Sequence, residues 1–270
     1  AQEVVDIINK LNLPRYGLGN YVPAKPKELP AKEEAEIIQN LSRGGKRLMG
    51  FCRTNLFKRL ESSGYSFLLS LERHILRNYI FIYAIENKKN IPIGTQEAEL
   101  LDTRLKDEDY IDLFEEDNED ENNPISQNGE IKTAEDFRNN AGKIYNSYAT
   151  KYRKKFKWIR SSLFNKALLK DLKSDTEALL DILAQCSNWN PLKDEKLNSL
   201  AKLLNKKYKN EKVLVFTQFA DTARYIEEQF NVRNISSVAS VTGETSDPTG
   251  LVWRFSPVSN NKNIPSEEQL

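Results

Sequence analysis

Residues 212 to 231 read KVLVFTQFADTARYIEEQFN, an apolar run followed by a polar turn and an amphipathic stretch without a gap. Val213, Leu214, Val215 and Phe216 are β-branched or bulky throughout, which suits a strand buried on both faces of a parallel sheet. Thr217 and Gln218 end the run. Asp221 falls where a helix N-cap is wanted, with backbone N–H groups near Arg224 in reach of its carboxylate, and Ala223, Ile226 and Phe230 share one helical face. The expected unit is strand, turn, helix. Such a turn lies at the carboxyl end of a strand and the positive end of a helix, where α/β proteins hold phosphates and other anions. Every α/β domain has several turns of this kind, so its neighbours must make it specific.

Downstream, Val238 to Val241 offers a second short strand and Thr242-Gly243 a turn, which together imply a right-handed parallel crossover. Asp247-Pro248 gives an N-cap and a proline at the first helical position of a short helix running to about Phe255. Upstream, helices are expected from Asp175 to Gln185 and from Asp194 to Tyr208, the latter with Leu197, Leu200, Leu203 and Leu204 inward.

The rest of the chain reads as helical. A short helix over Val4, Val5, Ile7, Ile8 and Leu11 stops at Pro14, and an irregular stretch rich in Gly, Tyr and Pro follows. After a helix from 31 to 42, Ser42-Arg-Gly-Gly-Lys-Arg47 lacks the Gly-x-x-x-x-Gly-Lys-Ser/Thr frame of a phosphate-binding loop and reads as a helix-breaking turn. The strongest helical period runs from Thr54 to about Asn87, with Ser62-Ser63-Gly64 placed to kink or divide it. His74 in this stretch has no second His or nearby Cys to complete a metal site, and its expected role is packing or surface.

The net charge of +1 conceals a segregation. Residues 97 to 130 carry 14 acidic and 2 basic side chains, whereas 132 to 173 carry 12 basic and 3 acidic ones. The acidic block, near 105 to 130, is expected to be a flexible loop, and its spacing lacks the Asp-x-Asp-Gly pattern of a calcium loop. In the basic block, Tyr145 to Leu169 is expected to be helical, with Tyr148, Tyr152, Phe156, Ile159 and Leu163 buried and Lys154, Lys155 and Lys157 outward. Those lysines suit phosphate contacts, or equally a solvated helix neutralised by the acidic loop.

At 270 residues with 39% hydrophobic and 29% charged side chains, the chain can bury a sizeable core. No apolar run reaches the length of a membrane span and the first residues lack signal-peptide character, so the expectation is a cytoplasmic protein with Cys52 and Cys186 reduced. A small-molecule enzyme has little support, because no nucleophile-base pair or metal cluster is visible in the sequence.

Asp194-Glu-Lys-Leu, the run from Lys212 to Ala223, Val241-Thr-Gly-Glu-Thr and Arg254-Phe-Ser-Pro come in an order that resembles the start of the second RecA-like lobe of superfamily 2 helicases, nearest the Swi/Snf-like DNA translocases. Thr217, Gln218 and Phe219 match that family's fourth motif, and Thr242-Gly243 its next strand end. The stretch RTNLFKRLESS, residues 53 to 63, also looks like a segment of helices inserted between the motor lobes in bacterial members. The resemblance covers about a third of the chain. It implies a mainly α-helical linking domain over 1–190 and the first half of a RecA-like, parallel-sheet lobe over 191–270. It further implies a fragment of an ATP-dependent DNA helicase or translocase. ATP and Mg would belong to the parent protein, since the chain has no Walker-type loop and no Asp-Glu-x-His box. By itself the fragment is expected to be inactive.

Under that resemblance Gln218, Thr222, Thr242 and Gly243 are the expected contacts to the DNA backbone, with Lys58, Arg59, Lys151, Lys154 and Lys155 as further contacts from the helical part. None would read base identity. The alternative is a helical module that docks a protein partner, with a structural α/β tail.

Overall fold

The computed structural model describes residues 2–25, 28–94, 133–186, 189–209 and 211–270. The acidic block near 105 to 130 lies outside the described residues. The chain is mainly helical, as expected, and separates into two units. One comprises Ala1–Phe57 and Ser70–Asn188, the other Lys58–Leu69 and Trp189–Leu270.

The first unit opens with α1 (Gln2–Lys10), which the Arg53 guanidinium closes at its C-terminal end by donating to the carbonyls of Ile8 at 3.2 Å and Leu11 at 2.8 Å. Two single turns of 3-10 helix follow, Pro14–Tyr16 and Leu18–Tyr21. Leu13, at φ 51°, is held ahead of them by Asp175, whose carboxylate accepts from the backbone N–H groups of Asn12 at 2.8 Å and Leu13 at 2.6 Å. Burial raises the Asp175 pKa above its ordinary value despite these donors.

Next come α2 (Lys32–Ser62) and α3 (Gly64–Glu86). The break between them falls at the expected Ser62-Ser63-Gly64. The helix-breaking turn expected at 42 to 47 is absent, because α2 runs through it. Gly45 is explained by close approach: a Cβ there would stand 3.4 Å from the Cα of Gly17 and 3.6 Å from the Tyr16 carbonyl. Two helical glycines cost roughly 1 kcal/mol each. Burial of Leu41, Cys52 and Leu56 along the same helix offsets that cost.

The expected helix over 145 to 169 is instead several elements. A capping box at Thr133 and Asp136 starts α4 (Ala134–Ala149). A basic turn follows, then β2 (Phe156–Arg160), which pairs antiparallel with β1 (Asn90–Gly94). Phe-Lys-Trp-Ile-Arg is rich in aromatic and β-branched residues, so strand pairing wins over helical continuation. The five residues expected to be buried, Tyr148, Tyr152, Phe156, Ile159 and Leu163, are buried, although not as one stripe. Arg160 donates to Glu34 at 2.8 Å and to Glu28 at 2.8 Å, and its hydrogen bonds hold the Glu34 carboxyl well down, at a pKa of about 2. α5 (Lys166–Cys186) completes the unit with Leu168, Leu172, Leu179 and Ile182 inward.

The second unit has a smaller core. Asp194 caps α6 (Glu195–Lys202) by accepting from the Leu197 N–H at 3.0 Å, and a π-helical turn continues it over Leu203–Lys207. α7 (Ala220–Val232) packs against it through Leu197, Ala201, Tyr225 and Phe230, with Tyr65, Trp189, Ile226, Ile235 and Val238 around them. Burying each of the larger side chains is worth about 1.5–3 kcal/mol. α8 (Pro248–Phe255) begins, as expected, at an Asp247 cap.

The two expected strands of this unit are not formed. Val213 to Phe216 is irregular and exposed, with Leu214 65% and Phe216 89% accessible, and Val238 to Val241 is also irregular. A strand needs a partner for its backbone N–H and C=O groups, and neither stretch has one among the described residues. No helix among the described residues is long and apolar enough to cross a membrane. Neither Cys52 nor Cys186 is in a disulfide.

Candidate nucleic-acid interface

The turn from Thr217 to Thr222 is fixed from beneath by the α2–α3 corner. Asp221 is not the helix cap; α7 begins after Phe219, which caps with no side-chain hydrogen bond. The Asp221 carboxylate is buried and accepts from the Arg59 Nη1 at 2.7 Å. A charge-assisted bond to a guanidinium outcompetes neutral backbone donors, and a buried carboxylate demands such a partner. The same Arg59 guanidinium lies over the Phe219 ring at 4.6 Å.

A chain of hydroxyls continues the contact. Thr222 Oγ1 is 2.9 Å from Ser62 Oγ and 2.9 Å from Ser66 Oγ, and Ser62 Oγ is 3.4 Å from Thr217 Oγ1. Thr222 and Arg59 are therefore interior joints, 5% and 2% accessible, whereas Gln218 and Lys58 are exposed.

The second expected segment lies beside the start of the helix. Thr242 forms a tight turn, its backbone N–H donating to Thr245 Oγ1 at 2.9 Å and its own Oγ1 accepting from the Glu244 N–H at 3.3 Å. Arg224 binds Glu244, and Ser240 donates to Glu227 at 2.5 Å, so two ties join this stretch to α7. Gly243 is exposed, with open space where a Cβ would stand. The arrangement brings Gln218, Thr242 and Gly243 to the surface near the first turns of one helix, while Asp221 and Glu244 neutralise Arg59 and Arg224. Any anion here would be held by neutral hydrogen bonds more than by net charge.

Tyr225 anchors the helix from the other side, donating to Asp194 at 3.0 Å and accepting from Trp189 Nε1 at 3.2 Å. Burial, with Asp194 beside it, pushes its hydroxyl up to about 12, so it remains a donor at neutral pH.

Lys151, Lys154 and Lys155 lie in the first unit, on the exposed turn between α4 and β2. His74 is buried, with Arg15 Nη2 3.1 Å from Nδ1 and the Cys52 thiol 3.7 Å from Nε2. A guanidinium can only donate, which assigns the lone pair to Nδ1 and the proton to Nε2. That tautomer cannot take the thiol proton, so the pair is not a nucleophile and base. No group of three or more metal-ligating side chains occurs among the described residues.

Sequence reasoning missed Arg53, Ser62 and Ser66 as joints, and Trp189 as the residue packed on Gly64. The signal was present for Gly64 alone, as a glycine at a helix start. No family model, curated protein or solved structure matches the chain.

Proposed function

We propose that the chain is part of a superfamily 2 DNA helicase or translocase, in which the second unit belongs to a RecA-like lobe and holds the backbone of one strand. The observation that carries this reading is that α7, which begins in the Thr217–Thr222 stretch, is tied to the residues flanking Thr242–Gly243 by the Arg224–Glu244 and Ser240–Glu227 bonds, so the two stretches that resemble helicase motifs adjoin the same helix. Exposed Gln218 and Gly243 and half-buried Thr242 are the contacts, and Thr222 and Arg59 hold the turn that carries Gln218. In the whole protein Val213 to Phe216 and Val238 to Val241 would be strands of a parallel sheet, and ATP and Mg would act between the lobes.

The experiment is binding of a 24-nucleotide DNA to the full chain and to Gln218→Ala/Thr242→Val, read by fluorescence anisotropy at 50 mM salt. Two lost neutral hydrogen bonds, at about 1 kcal/mol each, lower affinity by roughly tenfold or more with little change in salt dependence. Unchanged affinity in the double variant, or no DNA binding by the parent chain, refutes the reading.

A second reading rests on a different observation. Val213 to Phe216, Val241 and Trp253 expose apolar surface, which fits a protein partner better than a phosphate backbone. Under it, charge substitutions leave partner capture intact while Phe216→Ser abolishes it.

A further inference from the structure

Two arginine–carboxylate pairs serve the first turns of α7, and they differ in what can reach them. Arg59 and Asp221 are each 3% accessible, so their pair is closed to any outside group. Arg224 and Glu244 form the second pair, with side chains 41% and 53% accessible. Arg224 Nη1 also lies 3.9 Å from Asp221 Oδ1, beyond hydrogen-bond reach, so of the two carboxylates it is Glu244 that holds the guanidinium.

Chain position makes the open pair part of the site. Glu244 directly follows Thr242-Gly243, and its backbone N–H donates to Thr242 Oγ1 at 3.3 Å. A phosphate resting on Gly243 therefore comes up against the Glu244 carboxylate, and the two anions repel. The carboxylate can turn away, because an ion pair this exposed contributes little and is screened by salt. Arg224 is then left beside the incoming phosphate, to which its planar fork can donate two parallel hydrogen bonds. The surroundings survive the exchange: Ser240 still donates to Glu227 at 2.5 Å, and the Ser62–Thr222 bond still holds the turn at 2.9 Å.

We infer that Arg224 is a further phosphate contact of this site, and that the Glu244 carboxylate keeps a phosphate's place on it until a strand binds. The inference rests on the DNA reading above and adds a charged group to a site whose other contacts are neutral. Because the competing carboxylate is tethered to the turn, a single small anion gains little by replacing it, whereas a strand that also meets Gln218 and Thr242 is held at several points at once.

The test uses the full chain and a 24-nucleotide single-stranded DNA, with affinity measured from 50 to 200 mM salt. Glu244→Gln frees the guanidinium, so affinity at 50 mM should rise roughly two- to fivefold, the equivalent of an exposed ion pair no longer broken on binding. Arg224→Gln/Glu244→Gln has the parent's net charge but lacks the contact, and its log–log salt slope should be shallower than the parent's by about 0.7. Arg224→Lys/Glu244→Gln should restore the slope, because an ammonium still meets a phosphate as a point charge. Thermal melting checks the folding of each variant, and Glu244→Gln alone still decides the question if the double variant is unstable. A double variant with the parent's slope overturns the inference, since at equal net charge only a lost contact changes it. Glu244→Gln binding no tighter than the parent overturns it as well. Loss of affinity in Gln218→Ala/Thr242→Val with Arg224→Gln/Glu244→Gln unchanged refutes the inference and leaves the proposed function standing. No DNA binding by the parent chain refutes both.

Discussion

The buried Arg59–Asp221 pair makes a quantitative claim about the second unit. Both side chains are 3% accessible and the charged atoms are 2.7 Å apart. At an effective dielectric of about 20 the gross attraction is roughly 6 kcal/mol, most of it offset by desolvation of the two ions. Replacing one partner leaves the other charge buried alone, which costs about 3–5 kcal/mol, whereas replacing both with apolar groups of similar volume is close to neutral. We therefore expect Arg59→Met and Asp221→Leu each to lower stability by that amount and the double variant to recover most of it. The assay is urea unfolding followed by Trp189 emission, with Trp158 and Trp253 replaced by Phe so that the reporter belongs to this unit alone. With a urea slope of about 2 kcal/mol per molar, each single variant should shift the midpoint down by about 2 M. Single costs below about 1 kcal/mol, or a double variant equal to the sum of the singles, would refute the reasoning and return Arg59 to the list of groups available to an external phosphate.

Two further outcomes follow from local geometry. Gly64→Ala places a Cβ 2.4 Å from Trp189 Cη2, so the indole must move; we expect a loss of about 1–3 kcal/mol and a red shift of Trp189 emission, and an unshifted spectrum would show the contact to be soft. In the first unit the Glu34 carboxyl has its pKa lowered to about 2 from 4.5 by the Arg160 hydrogen bonds, so its stabilisation is fully present above pH 4.5 and is lost as pH falls toward 2. Glu34→Gln should remove about 2 kcal/mol at pH 7 and flatten that acid limb, and an unchanged limb in acid-unfolding curves would show that the pair contributes nothing.

Much of the helical part was legible because its signals are local. The division at Ser62-Ser63-Gly64, the Asp194 and Asp247 caps and the burial of Leu197 each depend on a few neighbouring residues, whereas Leu203, expected inward, is 42% accessible on the π-helical turn that follows α6. The misreadings share one cause, which is competition with a distant partner. Asp221 looked like a cap until Arg59, 162 positions away, took its carboxylate. Phe156 to Arg160 looked helical until Asn90–Gly94 supplied a strand to pair with. Gly44 and Gly45 looked like a turn because nothing in the sequence announces that residues 16 and 17 press against the helix at that point. The candidate site shows the same limit. Its exposed members, Gln218 and Gly243, were nameable from motif order, whereas the hydroxyls of Ser62 and Ser66 beneath Thr222 are set by tertiary contact alone.

Val213 to Phe216 is the place where sequence and structure diverge furthest, and the divergence is informative. An edge strand or half-covered strand would bury alternate residues, since successive side chains point to opposite faces. Here Val213, Leu214, Val215 and Phe216 are 36%, 65%, 50% and 89% accessible, so neither face is covered. Meanwhile the core of the unit, Leu197, Ala201, Tyr225 and Phe230, is closed by α6 and α7 without them. The run is therefore not what holds the unit together; it is apolar surface with no strand paired to it among the described residues, the combination that demands cover on both faces and a strand on at least one edge. A protein partner or a completed parallel sheet would each satisfy that demand, and a nucleic acid would not. Under the proposed function, the cover that 213–216 needs is therefore supplied by protein, from a partner or from the rest of the sheet, and not by DNA.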